Sequence, residues 1–288
     1  MILDAHVHLF PEEFQRQRER LCELDRAFAS VYSDPRARMA SSHDILKALD
    51  EVEATAAVVF GFPWTDRGIC KEHNDFVKET CAASRGRLIG LCCVSPSLGE
   101  WAVSEAERCL AMGFRGIGEV ASYQDPKGGY DSPFFQGVAD ILVKKDLPLL
   151  LHVTESVGHA YAGKDRTDLW ELYRWIQRNP DLHLVLAHWG GGLFLYELMP
   201  EVREACRRVY YDTAASPFLY DPKIYEIALK ITGRDRILLG SDYPLIHPRR
   251  YLKEIDSLGL SAEETCGLLG VNAARLFALH GESWPQLS

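Results

Sequence analysis

The sequence contains no hydrophobic run near the ~20 apolar residues that a membrane-spanning helix requires. Its first residues, Met1-Ile2-Leu3-Asp4-Ala5-His6, lack the basic region and apolar stretch of a secretory leader. A cytoplasmic protein without membrane contact is the expectation. Positive charge is also scarce. Lys and Arg number 32 against 41 Asp and Glu, and the net charge of −9 argues against a surface built for nucleic acid. The local run Arg16, Arg18, Arg20 alternates with Gln and Glu and reads as a solvated helix face. None of the cysteines (Cys22, Cys70, Cys81, Cys92, Cys93, Cys109, Cys206, Cys266) stands in a CxxC pair, so a thiolate zinc site is not indicated. Cys92 and Cys93 sit in an apolar run and read as small core residues. Scattered cysteines in a chain this large fit a reducing compartment. Internal repeats and low-complexity segments are missing as well.

What is present is a chain of 288 residues with ordinary globular composition. That length suits one α/β barrel, which runs to roughly 250 residues as a unit. Eight short apolar runs punctuated by Gly and Pro read as buried parallel strands. They are Ile2 to His8, Ala56 to Phe62, Leu88 to Val94, Gly116 to Val120, Leu147 to Val153, His183 to His188, Val209 to Thr213 and Ile237 to Asp242. Helical patterns lie between them, at Asp44 to Val52, Trp101 to Met112, from Ser132-Pro133 onward, Thr167 to Gln177, Leu193 to Arg207 and Pro222 to Ile231. Ser261 to Leu279 reads as two short helices on the outside. The alternation predicts a (β/α)₈ barrel of class α/β, one domain over residues 1–288, with an open doubly wound sheet as the alternative. One connection, Leu9 to Ser42, is too long for the rhythm and contains its own helical stretch around Pro11 to Phe28. It follows the C-terminal end of a strand, where barrel active sites lie, so residues 9–42 are expected to form an active-site lid.

Six metal-capable side chains close these strands. His6 and His8 stand two apart on the first, a spacing that turns both rings to one side. Alone, the pair also fits one core and one surface histidine. Glu119 closes Gly116-Ile117-Gly118-Glu119-Val120, where a buried carboxylate needs a metal or a cation such as Arg115. His152 ends Leu149-Leu150-Leu151-His152, His188 ends Leu184-Val185-Leu186-Ala187-His188, and Asp242 ends Leu238-Leu239-Gly240-Ser241-Asp242. Each taken singly fits a satisfied buried polar group. Together they open onto the same barrel face, and imidazole and carboxylate are the usual ligands of catalytic zinc or manganese.

This pattern resembles the amidohydrolase superfamily, most of all its amidohydrolase-2 branch, which includes relatives of aminocarboxymuconate-semialdehyde decarboxylase. The resemblance rests on Asp4-Ala5-His6-Val7-His8, Gly113 to Glu119, Leu151-His152, Leu186 to Gly191, Leu239 to Pro244 and the closing Gly270 to Phe277. It implies that His6, His8 and Asp242 bind one metal. It further implies that His152 and His188 bind a second, or that one of them is a ligand while the other contacts substrate. Many relatives carry a carboxylated lysine at the fourth strand; Glu119 stands here instead and leaves the metal count at one or two ions. Zinc is the first expectation and manganese the second. Asp242 would take the proton of a metal-activated water, and His188 would add an electrophilic contact.

Hydrolysis of a small amide, lactone or ester is the expected reaction, because hydrolytic relatives commonly place a bridging carboxylate where Glu119 stands. The alternative is a metal-dependent non-oxidative decarboxylase or hydratase acting on an aromatic or unsaturated carboxylic acid. The expected partner is a small-molecule substrate, with a homodimer left open. Glu155 and His159 read as mouth residues or a solvated loop pair, and Arg249 or Arg250 as a carboxylate clamp or an exposed helix start. His43, His73, His183 and His280 read as structural, and Trp189 as pocket wall or packing.

Overall fold

The computed structural model describes residues 1–121, 129–165 and 167–279. Its eight strands are β1 (Leu3–His8), β2 (Ala56–Phe60), β3 (Leu88–Gly90), β4 (Ile117–Val120), β5 (Leu149–Leu151), β6 (Leu184–Leu186), β7 (Val209–Asp212) and β8 (Ile237–Leu238). All pair in parallel and in sequence order, β1 to β3 in one ladder and β4 to β8 in another. Two bridges join the ladders, Cys92 with Ile117 and Val7 with Tyr243. Backbone bonds run along both seams: Gly118 N–H donates to Cys92 O at 2.8 Å, and Asp242 N–H to His6 O at 2.9 Å. The expected barrel is therefore closed.

The helices, in order, are α1 (Glu12–Arg16), α2 (Arg18–Leu24), α3 (Arg26–Tyr32), α4 (Ser42–Asp50), α5 (Arg67–Ala83), α6 (Glu100–Ala111), α7 (Pro133–Lys145), α8 (Leu169–Arg178), α9 (Pro200–Ala205), α10 (Ser216–Leu219), α11 (Lys223–Thr232), α12 (Pro248–Asp256), α13 (Ala262–Cys266) and α14 (Asn272–Leu276). Their starts follow local chemistry. Ser41 and Asp44 form a reciprocal capping box at α4, and Asp168 accepts from the Trp170 and Glu171 N–H groups at α8. Two expectations fail here. α5, 17 residues long and capped by Asp66, is absent from the helices expected above. The helix expected over Leu193 to Arg207 is broken. Trp189, Gly190, Gly191 and Gly192 all take positive φ, tight turns run to Leu198, and Pro200 restarts the chain as α9.

Residues alternate between two buried layers along each strand. Ala57, Val59, Leu149, Leu151, Leu184, Leu186 and Tyr211 join the apolar faces of the helices in the larger cluster. Ala56, Val58, Phe60, Leu150, Val185 and Leu238 belong to a second cluster that fills the barrel and continues onto Ala273, Ala274 and Phe277. Among the described residues, no helix is long and apolar enough to cross a membrane.

Candidate metal centre

Side chains that leave the packed barrel do so at the C-terminal ends of its strands. β1 supplies His6 and His8, and β4 supplies Glu119. His152 directly follows β5, His188 follows β6 by two residues, and Asp242 lies in the turn after β8. All six expected residues converge. Glu119 Oε2 lies 3.8 Å from His6 Nε2 and 3.7 Å from His8 Nε2, and Asp242 Oδ1 lies 3.8 and 3.2 Å from the same two atoms. Glu119 Oε1 lies 2.8 Å from His152 Nδ1 and 3.5 Å from His188 Nε2. Gly240 makes this approach possible, since a Cβ there would stand 2.8 Å from His6 Cβ. His188 and Asp242 both hold positive φ (56° and 58°), a conformation that non-glycine residues keep only where surrounding structure enforces it.

The outer nitrogen of each imidazole faces an acceptor. His6 Nδ1 is 2.8 Å from Asp212 Oδ2, His152 Nε2 2.8 Å from Gly163 O, His188 Nδ1 3.1 Å from Ala214 O, and His8 Nδ1 3.5 Å from Gly61 O. Carbonyl and carboxylate oxygens only accept, so these outer nitrogens carry the hydrogens. Once stripped of any further proton, the four rings would present lone pairs inward, against two carboxylates. His6 Nε2 is buried with no hydrogen-bond partner. Such a cluster of acceptors is costly unless a cation sits among them. Its ligand atoms form two overlapping triads that share Glu119: His6, His8, Glu119 and Glu119, His152, His188. With metal–ligand bonds of about 2.0–2.2 Å, neighbouring ligands stand roughly 3.0–3.5 Å apart, which both triads approach.

Electrostatics follow from this crowding. Burial alone would lower the pKa of His6, yet Asp212 and Glu119 beside it bring it up to about 10. Burial likewise opposes the charge on His188, but Glu119 and Asp242 lift its pKa to about 9. Burial would raise the carboxylates; instead His8, His6 and His188 draw Asp242 down to about 2, and His152 and His6 hold Glu119 well below its ordinary range. Without a metal, the centre gathers protons where it would otherwise gather a cation.

Above the centre lies a cavity of about 470 Å³. His8, Glu119, His152, His188 and Asp242 form its polar floor, and Phe62, Ala215, Phe218, Leu219 and Leu245 are among its apolar walls. Val31 and Tyr32 of α3, with Ala37 and Arg38 just beyond it, also line the cavity, so the long connection after β1 reaches the ligand end of the barrel. Tyr32 is buried and Arg38 exposed.

The family profile described as Amidohydrolase matches residues 3–279. The chain belongs to the amidohydrolase-2 family. A 2-amino-3-carboxymuconate-6-semialdehyde decarboxylase of Dictyostelium discoideum is 21% identical over an alignment covering 96% of this chain and 91% of that protein. Among solved structures, 5-carboxyvanillate decarboxylase from Sphingomonas paucimobilis superposes with a TM-score of 0.74 at 17% identity, covering 96% of this chain and 98% of that one. A dihydroxybenzoic acid decarboxylase from Polaromonas sp. JS666, with bound manganese and the inhibitor 2-nitroresorcinol, gives a TM-score of 0.72 at 18% identity, covering 98% of both chains. These relatives overturn the expected hydrolysis of an amide, lactone or ester. Glu119 was its basis, but in the structure Glu119 is one acceptor among six, in direct contact with His152, and its presence does not select water attack.

The remaining expectations for this amidohydrolase-2 chain divide. Glu119 pairs with histidines rather than with Arg115, whose side chain is exposed. Arg249 pairs with Glu51, and Arg250 bonds Pro217 O and faces Glu254; neither lines the cavity. His159 does line it, while Glu155 accepts from the Tyr161 hydroxyl at 2.9 Å. Trp189 is packing: it is buried, donates to Ser216 Oγ and lies edge-on to Tyr225. His73 is buried between Leu9 O and Trp64, His183 stands beside Asp146 at the entry to β6, and His43 lies exposed in α4; His280 falls outside the described residues. Three residues escaped the sequence reading. Asp212 closes an apolar strand, the same signal that marked Glu119. Tyr32 and Arg38 carry no local signal and are identified only by where the long connection after β1 lands.

Proposed function

We propose that this chain is a metal-dependent, non-oxidative decarboxylase of a small aromatic or unsaturated carboxylic acid. The observation that carries the reading is the acceptor cluster on the floor of a mostly apolar cavity large enough for one substituted ring. The names of its relatives support it. His6, His8, Glu119 and Asp242 would hold a divalent ion, manganese or zinc, with Glu119, His152 and His188 able to take a second. The ion would supply Lewis acidity toward the substrate's oxygens. In the reaction the bond between carbon and carboxylate breaks, carbon dioxide leaves, and the carbon takes a proton. His188 and Asp242 both line the cavity; His188, which holds a proton near neutrality, is assigned its delivery, while Asp242 stays ionised there and would serve the ion. The cavity's apolar walls orient the ring and exclude water. Residues 9–42 act as a lid, with Arg38 offering a guanidinium that has no carboxylate partner among the described residues.

The test is protein loaded with manganese or zinc, its metal-to-protein ratio measured, incubated with dihydroxybenzoates, 5-carboxyvanillate and a carboxymuconate. Metal-dependent release of carbon dioxide is expected from at least one of them. Uptake of metal without release of carbon dioxide from any carboxylic acid in the panel would overturn the reading.

A further inference from the structure

Asp212 closes β7, is fully buried and touches no part of the cavity. Its carboxylate accepts three hydrogen bonds. Oδ1 takes the backbone N–H of His188 and of Ala214, each at 3.0 Å, and Oδ2 takes His6 Nδ1–H at 2.8 Å. The first two contacts brace the positive-φ turn at His188, and an asparagine or serine oxygen could make them equally well. Only the contact to His6 requires a group that accepts and cannot donate. Gly240 leaves room for that pairing, since a Cβ there would crowd His6 and stand 3.3 Å from Asp212 Cβ.

We infer that Asp212 is a positioning residue that keeps the Nδ1 of His6 protonated and turns its Nε2 lone pair into the centre. Affinity for a divalent ion then depends on a carboxylate that does not touch the ion. A carboxylate behind a ligating histidine fixes both its tautomer and its ring orientation. The inference rests on the reading that this centre binds a divalent metal. It singles out one substitution. In Asp212→Asn, the side-chain oxygen stays with the two backbone N–H groups, and the amide NH₂ meets His6 Nδ1. The amide donates there, so the neutral ring must carry its hydrogen on Nε2, against the incoming ion. The substitution is nearly isosteric, yet it inverts the tautomer.

The experiment measures Mn²⁺ affinity and the melting temperature of EDTA-treated protein for wild type, Asp212→Asn and Asp212→Ala. Asp212→Ala strands three buried donors and is expected to lose the more stability. Asp212→Asn is expected to lose at least as much affinity, about 10–100-fold, while melting within a few degrees of wild type. Affinity of Asp212→Asn within twofold of wild type, or affinity loss that merely tracks lost stability across the two variants, overturns the inference. If neither variant folds, the ¹⁵N spectrum of zinc-loaded wild type decides: a protonated Nδ1 on His6 supports the assignment, and a protonated Nε2 ends it. Wild type that takes up neither Mn²⁺ nor Zn²⁺ sinks the functional reading and this inference together. Wild type that binds while Asp212→Asn binds equally sinks this inference alone.

Discussion

At the scale of single residues, the division of labour is between groups that face inward as acceptors and groups that meet them from the long connection after β1. Arg38 is the clearest case of the second kind. It lines the cavity beside the acceptor floor, and a carboxylate substrate would be its natural partner. Hydrogen bonds to charged groups contribute about 1.5–3 kcal/mol, equivalent to roughly tenfold to a hundredfold in binding. Arg38→Gln is therefore expected to raise KM for the acid by that factor and leave the metal content unchanged. Steady-state kinetics with metal analysis of the same preparation checks this; unchanged KM would remove Arg38 from substrate recognition. His6→Ala should do the reverse and empty the centre, because it removes the buried inward nitrogen that no protein group satisfies. Full metal occupancy in that variant would refute the ligand assignment. These two residues also show what sequence could reveal. His6 stands in a strand-end pattern whose spacing fixes its direction. Arg38 follows a short helix in a long connection, and nothing in its neighbours says where the chain lands.

At the scale of elements, the strands position the site by ending early. β5, β6 and β8 finish before His152, His188 and Asp242, and the backbone then turns sharply enough to give the last two positive φ. Sequence reading carried each strand through to its ligand. It picked out residues that the structure brings together because apolar runs and their terminal polar groups are local, and missed the turns because those are imposed by the seams between strands. The seam between β8 and β1 is a tight one. Gly240 backs directly onto His6 Cβ, and Asp4 Oδ1 accepts from both His6 N–H and Ser241 N–H across the same junction. Gly240→Ala is expected to cost about 1–3 kcal/mol through overpacking and to weaken metal binding by displacing His6. Melting temperature and Mn²⁺ titration measure the two effects. A variant as stable as wild type, with the same affinity, would mean that the seam is looser than the structure indicates. The broken helix over Leu193 to Arg207 teaches the same lesson. Its residues have helical propensity, but the glycines ahead of them, Gly190 to Gly192, are spent on the turn that presents His188.

At the scale of the whole molecule, the centre couples stability to pH, and the coupling should fade when metal is present. In the metal-free chain the pKa values of His6 and His188 are raised from an ordinary value near 6.5 to about 10 and about 9. A group whose pKa is raised on folding stabilises the fold fully below its unfolded pKa and loses that contribution as pH climbs through its folded one. The metal-free protein should therefore lose stability between about pH 6.5 and pH 10. Asp242 behaves oppositely: drawn down to about 2, it contributes above the ordinary carboxylate range and fails only in strong acid, outside this window. Metal binding must displace the protons on the histidines, so affinity rises over the same interval, by up to about tenfold per pH unit for each proton released. An ion that binds only the folded chain stabilises it more as affinity grows. Melting curves of EDTA-treated and Mn²⁺-loaded protein at pH 6, 7.5 and 9, at fixed total metal, should thus draw apart as pH rises, the first falling while the second holds. Curves that keep a constant gap would mean that the histidines carry no protons for the ion to displace. Curves that converge would place the ion elsewhere than among His6, His8, Glu119 and Asp242.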